Sequence, residues 1–250
     1  MLKTTKLITT NNFKLATYQK GSPQSNKLAI ILPGRSDTKD YPHMRSHVDF
    51  LATKGYFALS FDPPGTWESE GDISIYSTTN YLKAVKEVIE YYGNKPTLLV
   101  GHSRGGSMAI LAGTRINEVE AFISIMGRAS YKTKAFIDGG WKEDGFHISK
   151  RDTPKEYAER EKSFKLSFAF VEDSQQYDMI PDLKICNKPK LFIAGSKDVL
   201  VDPMKIKQAC ELSAEPKQFI MLESEHDYRL NDEMIKKVNT LIEDFIQKSS

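Results

Sequence analysis

The chain has 250 residues, of which 40% are hydrophobic and 27% are charged, and its formal net charge is +2. This length suits one α/β domain with a large buried core. The nearly balanced charge gives no support to a nucleic-acid partner. The two cysteines, Cys186 and Cys210, form neither a disulfide framework nor a zinc motif, so we expect two reduced thiols.

The hydropathy of the chain indicates where in the cell the protein is expected. The first residues hold no apolar run of the length a signal peptide needs, and no later stretch approaches a membrane span. We therefore expect a cytoplasmic protein without a membrane span. Neither charge nor composition indicates an oligomeric state.

Strand signals come first in the chain and then recur at intervals. Residues 3–20 alternate between apolar and polar around Thr10-Asn11-Asn12, which is typical of a hairpin. Continuous apolar runs, as strands buried on both faces require, predict further strands at 28–32, 56–61, 97–100, 119–125, 190–194 and 218–222.

Helical patterns fill most of the intervals between these strands. The first predicted helix ends at Gly55, Ser77 is placed to cap the second, and Pro203 is placed to open a later short one. A long amphipathic helix closes the chain. Strands that alternate with helices predict an α/β fold, with a mainly parallel sheet covered by helices on both faces.

One long stretch interrupts the alternation. Residues 127–188 separate two predicted strands, and a simple crossover needs far fewer residues. We interpret this stretch as an inserted cap on a core made of residues 1–126 and 189–250. Its aromatic side chains either form a small core of the cap or line a pocket beneath it. These side chains are Tyr131, Phe136, Trp141, Phe146, Phe164, Phe168 and Phe170.

The strongest chemical signal is Gly101-His102-Ser103-Arg104-Gly105, which matches the pattern G-x-S-x-G. It follows a predicted buried strand and precedes a helical run, as a nucleophile elbow requires. There the serine hydroxyl stands above the sheet edge, and the flanking glycines let strand and helix approach closely. An ordinary strand-to-helix turn with a capping serine is the alternative. The context favours Ser103 as a nucleophile.

A serine needs a base to take its proton, and the chain has five histidines. His226 follows the last predicted strand, at the sheet edge where sites form in open α/β sheets. His102 lies inside the elbow with its ring expected to point away, and His147 lies in the cap. His43 and His47 are spaced for a metal, but no third ligand is evident. We therefore predict His226 as the base.

The acid of a triad should follow the preceding strand, in the order Ser, Asp, His. Asp198 stands there, in Gly195-Ser196-Lys197-Asp198. Asp202 is the alternative, but it directly precedes Pro203 and is better explained as a helix N-cap. We predict that Asp198 fixes the imidazole tautomer and stabilises the imidazolium.

An oxyanion hole needs two N–H donors. The backbone N–H of Arg104 follows the nucleophile, and the loop Pro33-Gly34-Arg35-Ser36 after an earlier strand is expected to supply that of Arg35. The Arg35 side chain is interpreted as a surface group, with an anion clamp as the alternative. Asp62, which precedes two prolines, is interpreted as a turn residue.

Five motifs together resemble the α/β-hydrolase superfamily over nearly the whole chain. They are Pro33-Gly34, Asp62-Pro63-Pro64-Gly65, the elbow, Gly195 to Asp198, and His226. Within that superfamily the pattern is similar to small bacterial carboxylesterases, feruloyl and cinnamoyl esterases, monoacylglycerol lipases and serine-aminopeptidase-like hydrolases. The chain departs from that branch in its oxyanion loop, which has Pro-Gly for His-Gly, in its acid loop, where Asp202 intervenes, and in Pro63-Pro64-Gly65.

The motifs and the resemblance imply a serine hydrolase that cleaves a small-molecule ester through an acyl-serine, with Ser103, His226 and Asp198 as catalytic residues. No cofactor or metal is expected. The alternatives are an amidase or peptidase with the same triad, and a hydrolase-like protein that only binds a small molecule.

Overall fold

A computed structural model describes residues 5–132 and 141–249 of the chain. Its centre is a sheet of eight strands in the order β1-β2-β4-β3-β5-β6-β9-β10. The strands are β1 Lys6–Thr9, β2 Lys14–Lys20, β3 Leu28–Leu32, β4 Phe57–Phe61, β5 Thr97–His102, β6 Val119–Ile125, β9 Lys190–Gly195 and β10 Lys217–Leu222.

The predicted hairpin forms the antiparallel edge of this sheet. Strand β1 pairs antiparallel with β2, and β2 pairs antiparallel with β4. All the other neighbours pair in parallel. Strands β3, β4, β5 and β9 are buried along their whole length, which explains their uninterrupted apolar sequences. The predicted α/β fold class is confirmed.

Helices α1, α3 and α7 pack on the sheet, α8 packs on α1, and α2 packs on α3. They are α1 Pro42–Thr53, α2 Thr78–Tyr91, α3 Arg104–Arg115, α7 Pro203–Leu212 and α8 Asp232–Ser249.

Local sequence signals account for several helix ends. The Ser77 side chain accepts a hydrogen bond from the N–H of Asn80 at 3.0 Å, so it caps α2 as predicted. Just after α1, Gly55 has a φ of +85°, which is a conformation that glycine adopts without steric cost. Ser77 thus ends the loop that follows β4 at the carboxyl edge of the sheet, and Gly55 lies in the turn from α1 to the amino end of β4.

The segment between β6 and β9 holds the residues interpreted as a cap. A two-stranded antiparallel sheet pairs β7 Phe146–Asp152 with β8 Glu161–Ser167. Three short helices flank it, α4 Trp141–Asp144, α5 Phe168–Gln175 and α6 Ile180–Leu183. Phe136 lies outside the described residues. Within the described ranges, no helix has both the length and the apolar character that crossing a membrane requires.

Candidate active site

Ser103 occupies a strained turn between strand β5 and helix α3. Its φ is 55° and its ψ is −118°, a conformation that L-residues rarely adopt. The turn also needs close backbone contact. A Cβ at Gly105 would lie 1.8 Å from the carbonyl oxygen of Leu32, and one at Gly101 would lie 2.0 Å from that of Gly105. The two flanking glycines of the motif therefore have a steric reason to be there.

Three side chains from different loops meet at this turn. The Ser103 Oγ lies 2.8 Å from Nε2 of His226, and His226 Nδ1 lies 2.7 Å from Oδ2 of Asp198. A carboxylate only accepts, so Nδ1 carries the imidazole proton and Nε2 is free to accept from the serine hydroxyl. The structure thus brings together the three residues that the sequence analysis chose as nucleophile, base and acid.

Asp198 and Asp202 have different hydrogen-bond partners. Besides His226, the Asp198 carboxylate accepts from the N–H groups of Leu200 and Val201 at 2.8 and 2.9 Å. Asp202 accepts from the N–H of Met204 at 2.9 Å and caps helix α7. The Asp198 carboxylate therefore binds the imidazole of His226, whereas the Asp202 carboxylate caps the N-terminus of α7.

The environment of Asp198 favours its ionised form. Burial, the largest influence, raises the pKa of its carboxyl, but the hydrogen bonds from His226, Val201 and Leu200 outweigh burial and lower it overall. Its side chain is fully buried. A buried negative charge that is held in this way can stabilise an imidazolium without taking its proton.

His102 contributes to the site from behind His226. Its Nε2–H donates to the carbonyl oxygen of His226 at 2.8 Å, and the two ring centroids lie 5.2 Å apart. Burial first, and then the neighbouring His226, lower the pKa of His102 to about 3. His102 is thus neutral near pH 7 and holds the backbone of His226 in place. From the sequence we predicted only that its ring would point away.

The loop after β3 lies against Ser103. A Cβ at Gly34 would come 3.4 Å from that of Ser103. Two residues further on, the buried N–H of Ser36 donates to the hydroxyl of Tyr76 at 3.2 Å, and this hydrogen bond holds the backbone of the loop at Ser36. The N–H of Arg104 is in the first turn of α3 and lacks an intrahelical acceptor. The N–H groups predicted for the oxyanion hole, those of Arg35 and Arg104, thus belong to segments that meet at Ser103.

The side chains of the two arginines have unlike surroundings. Arg35 is exposed, with its guanidinium 5.7 Å from the ring centroid of Trp141 in α4. Arg104 is 5% exposed and lies 4.2 Å from the ring centroid of Phe170 in α5. The burial of the arginine next to Ser103 was not predicted, because the sequence motif specifies only a variable residue at that position.

The histidines of α1 are divided between two environments. His47 Nδ1 lies 2.6 Å from Asn239 Oδ1, and its Nε2 lies 2.9 Å from the Tyr228 hydroxyl, so neither nitrogen is free for a metal. His43 instead groups with His102 and Asp37, whose potential ligand atoms lie within 4.8 Å of one another.

These three side chains are the group that could hold a metal ion in the part of the chain described. The carboxylate of Asp37 is already paired with Arg151. Burial lowers the pKa of both His43 and His102, so both imidazoles are neutral near pH 7 and retain a lone pair.

Asp62, which was interpreted as a turn residue, is buried directly after β4 and has a structural role. Its carboxylate accepts from the Thr38 hydroxyl at 2.7 Å and pairs with Nζ of Lys39 at 3.1 Å. Lys39, which is fully buried, also contacts Asp40 and Glu68 at 2.7 Å each. This network anchors the loop after β4 to the loop after β3, which carries Arg35.

Several cap aromatics contact the core loops around the site. Phe164 lies 5.5 Å from Trp67 between ring centroids, and Phe170 lies 5.2 Å from Tyr76. Trp141 stacks on Phe170 at 5.9 Å. Tyr131 is also buried, whereas Phe146 and Phe168 are half-buried.

Sequence comparisons connect the chain to hydrolases. The family model described as alpha/beta hydrolase fold matches residues 29–140. Among curated proteins, the mitochondrial palmitoyl-protein thioesterase ABHD10 of Mus musculus is 22% identical over 233 residues, which are 88% of this chain and 75% of that protein. The Homo sapiens protein of the same name is 22% identical over 225 residues, covering 88% and 73%.

Solved structures share the fold over nearly the whole chain. Mouse alpha/beta hydrolase domain-containing protein 10 superposes with a TM-score of 0.79 and 19% identity, covering 99% of this chain and 100% of that one. Est1E from Butyrivibrio proteoclasticus with bound ferulic acid gives 0.75 and 17%, covering 98% of both chains. The Pyrococcus furiosus esterase Pf2001 gives 0.72 and 18%, covering 98% and 91%.

The matched segment, residues 29–140, includes β3 to β6 and the elbow at Ser103, and the neighbours share the parallel sheet that carries them. Fold and family model therefore agree: the chain has the α/β-hydrolase fold, and its residues 29–140 match the model of that family.

Proposed function

We propose that the protein is a serine hydrolase that cleaves the ester bond of a small molecule through an acyl-serine intermediate. The observation that carries the proposal is the continuous path of hydrogen bonds from Ser103 Oγ through His226 to Asp198. The match of residues 29–140 to the α/β-hydrolase family model supports a hydrolase in general terms. The ester as the bond cleaved rests on the site chemistry and on the esterases among the structural neighbours.

In the first stage, the Ser103 Oγ attacks the acyl carbonyl carbon while its proton passes to Nε2 of His226. The carbonyl π electrons move to oxygen, and the N–H groups of Arg35 and Arg104 stabilise that charge. The tetrahedral intermediate then collapses and the bond to the leaving alkoxide breaks. The imidazolium gives its proton to the alkoxide, which leaves as an alcohol.

In the second stage, water attacks the acyl-serine and gives a proton to the same nitrogen of His226. A second oxyanion forms between the same two N–H groups and collapses, and Ser103 regains its proton as the carboxylic acid departs. Asp198 remains ionised throughout, and its negative charge stabilises each imidazolium. His102 holds the backbone of His226, which limits motion of the base between the two stages.

Thioester hydrolysis is a second candidate, favoured by the match to the ABHD10 palmitoyl-protein thioesterases over 88% of this chain. It needs the same triad, and the leaving thiolate requires less protonation than an alkoxide. An amidase would need a good proton donor for its amine leaving group, which makes it the more demanding reaction on this site.

A series of p-nitrophenyl esters from acetate to palmitate tests the proposal, alongside acyl thioesters of the same chain lengths and aminoacyl p-nitroanilides. Because Phe170 of the proposed cap packs on Tyr76 and on Arg104 next to Ser103, we expect a compact apolar acyl site, with kcat/KM highest for short to medium or aromatic acyl groups and higher for esters than for anilides. A peak at palmitate with faster thioester cleavage would favour the thioesterase, and faster anilide cleavage would favour the amidase.

A fluorophosphonate probe separates all these enzymes from a protein that only binds a small molecule. The active serine of an enzyme should be labelled, and p-nitrophenol should appear in a burst that is stoichiometric with the protein. Neither labelling nor a burst with any substrate would contradict the proposed function.

A further inference from the structure

Five side chains that contact one another, beginning with Arg104 next to Ser103 in the chain, form what we call the arginine–aromatic cluster: Arg35, Tyr76, Arg104, Trp141 and Phe170. The Arg104 guanidinium lies 4.2 Å from the Phe170 ring centroid and 5.3 Å from that of Tyr76. Trp141 connects Phe170 at 5.9 Å to the Arg35 guanidinium at 5.7 Å. The cluster thus joins the elbow, the oxyanion loop and the cap.

The charge of Arg104 is buried without an acidic partner among the residues described. Its Nη1 donates to the Ser174 hydroxyl at 3.2 Å, and its Nη2 donates to the Thr78 hydroxyl at 2.9 Å. These bonds use two of the five donors of a guanidinium, and the buried Nε has no partner. Burying a cation is costly unless an anion compensates it, so an anionic partner is missing from this arrangement.

The nearest acidic residue in this hydrogen-bond network does not fill that place. Asp173 accepts from the N–H groups of Thr78 and Thr79 at 2.6 and 3.1 Å, at the N-terminus of α2. Its carboxylate therefore offsets the positive end of that helix. Arg104 reaches only the neighbouring hydroxyls.

The second arginine of the cluster adds positive charge. Although Arg35 is exposed as a whole residue, desolvation of its guanidinium lowers its pKa, the phenol of Tyr76 opposes this effect, and the positive charges of Arg104 and Arg128 lower it further. Arginines that disfavour each other's charge around one site form a positive field. Aromatic walls with arginines set among them suit the carboxylate of an otherwise apolar ligand.

The position of the cluster indicates which half of the substrate carries the anion. The leaving group must lie against Nε2 of His226, which protonates it. Arg104 instead reaches towards Thr78 of α2 and Ser174 of α5. A substrate group that contacts Arg104 on that side of Ser103 therefore belongs to the acyl half.

From this geometry we propose that Arg104, with Arg35, selects substrates whose acyl group ends in a carboxylate, such as half-esters of dicarboxylic acids. This inference rests on the proposed ester hydrolysis and specifies its substrate class. The acyl carboxylate would accept from the free donors of Arg104, and its chain would pack on Phe170 and Tyr76.

The test compares p-nitrophenyl hemiadipate with p-nitrophenyl hexanoate, which have six-carbon acyl chains and differ in the terminal carboxylate. Adipate is chosen because its carboxylate is too remote for easy attack on its own ester. We expect kcat/KM for the hemiadipate to exceed that for the hexanoate by about tenfold or more, since a charge-assisted hydrogen bond contributes roughly that factor.

In Arg104→Gln the ratio of the two kcat/KM values should fall by about 10- to 100-fold. Arg104→Lys should retain part of the preference, because it keeps the charge and loses the planar donors. The matched control is Arg115→Gln at the other end of α3, where Arg115 pairs with Asp182, and its ratio should equal that of the wild type.

A second measurement does not depend on the folding of the Arg104 variants. Free adipate should inhibit the wild-type enzyme at concentrations about tenfold or more below those of hexanoate, and Arg35→Gln should weaken the inhibition by adipate selectively.

The outcomes separate this inference from the proposed function. Hydrolysis of the hexanoate with no preference for the hemiadipate would overturn the inference and leave the ester hydrolase intact. An equal loss on both substrates in Arg104→Gln would also overturn it, since that result assigns the side chain to cap packing alone. Absence of hydrolysis and of fluorophosphonate labelling would overturn the ester hydrolase itself, and the inference with it.

Discussion

Ser103 and His226 are 123 positions apart in the chain, yet the Oγ of the one lies 2.8 Å from Nε2 of the other. Strand β5 delivers the serine and the loop after β10 delivers the histidine, both at the carboxyl edge of the sheet. The strained φ of 55° at Ser103 points its hydroxyl at the imidazole, and the turn keeps this angle because backbone atoms pack closely around it.

Ser103→Ala should abolish turnover of p-nitrophenyl esters and labelling by a fluorophosphonate. Loss of the nucleophile typically costs on the order of 10⁴-fold or more in rate. The change removes one hydroxyl from a half-buried position, so the far-UV circular dichroism and the thermal midpoint should stay close to those of the wild type. A variant that keeps full activity would rule out Ser103 as the nucleophile.

Asp198→Asn and Asp202→Ala should affect different properties. Asparagine at 198 can still accept from the N–H groups of Leu200 and Val201, but its amide would donate to His226 Nδ1 and favour the wrong tautomer. The expected loss in kcat is roughly 10⁴-fold. Asp202→Ala removes the N-cap of α7 and should cost about 1 kcal/mol in the free energy of unfolding, with little change in rate.

Steady-state kinetics and urea unfolding of both variants make this comparison. If Asp202→Ala lost the rate and Asp198→Asn kept it, the acid would be Asp202, and the assignment of the α7 cap would have to change with it.

Sequence alone predicted the elements whose signals are local. Apolar runs marked strands β3 and β9, and Ser77 marked the start of α2, because burial and capping act within a few residues. The elbow and the order Ser, Asp, His likewise depend on motif and chain order. The internal structure of residues 127–188 was not predicted, since β7 and β8 carry mixed patterns that are only partly buried.

Contacts between distant residues left no local signal. Nothing near Tyr76 in the sequence indicates that its hydroxyl accepts from Ser36, 40 positions earlier. The partners of Asp62 were not predicted for the same reason, because Lys39 is 23 positions away in the chain. Such partners depend on how the loops fold over the sheet edge, which periodicity does not encode.

Tyr76→Phe should lower kcat by about tenfold with a smaller change in KM. The variant leaves the buried N–H of Ser36 without an acceptor, which costs roughly 1–3 kcal/mol, and the loop that carries Arg35 can shift to regain one. Misplacement of an oxyanion donor acts on the transition state more than on the bound substrate.

Tyr92→Phe is the matched control for this substitution. Tyr92 follows the last turn of α2, and its hydroxyl accepts from Gln19 at 2.6 Å. Gln19 lies in β2, which two strands separate from β5, the strand that precedes Ser103. Equal kcat values for the two variants would show that the Tyr76 hydroxyl does not position the loop.

Acid should destabilise the protein through its buried histidines. Burial lowers the pKa of His47 to about 4 and that of His102 to about 3, and it lowers that of His43 well below the usual range. In the unfolded chain these side chains take up protons as the pH falls below about 6.5, whereas the folded protein keeps them neutral. The unfolded state then binds more protons, so stability is lost as the pH falls from about 6.5 towards 4.

Urea unfolding at several pH values between 7.5 and 4.5 measures this loss. Each histidine can contribute a slope of up to about 1.4 kcal/mol per pH unit in the free energy of unfolding. His43→Leu should reduce the slope by about one proton, because it removes a fully buried imidazole whose nitrogens have no hydrogen-bond partner among the described residues. A side chain of similar size should still pack against His102 and Tyr228. If the slopes of the variant and the wild type were the same, His43 would already be protonated in the folded protein or neutral in both states, and the account of the buried histidines would be wrong.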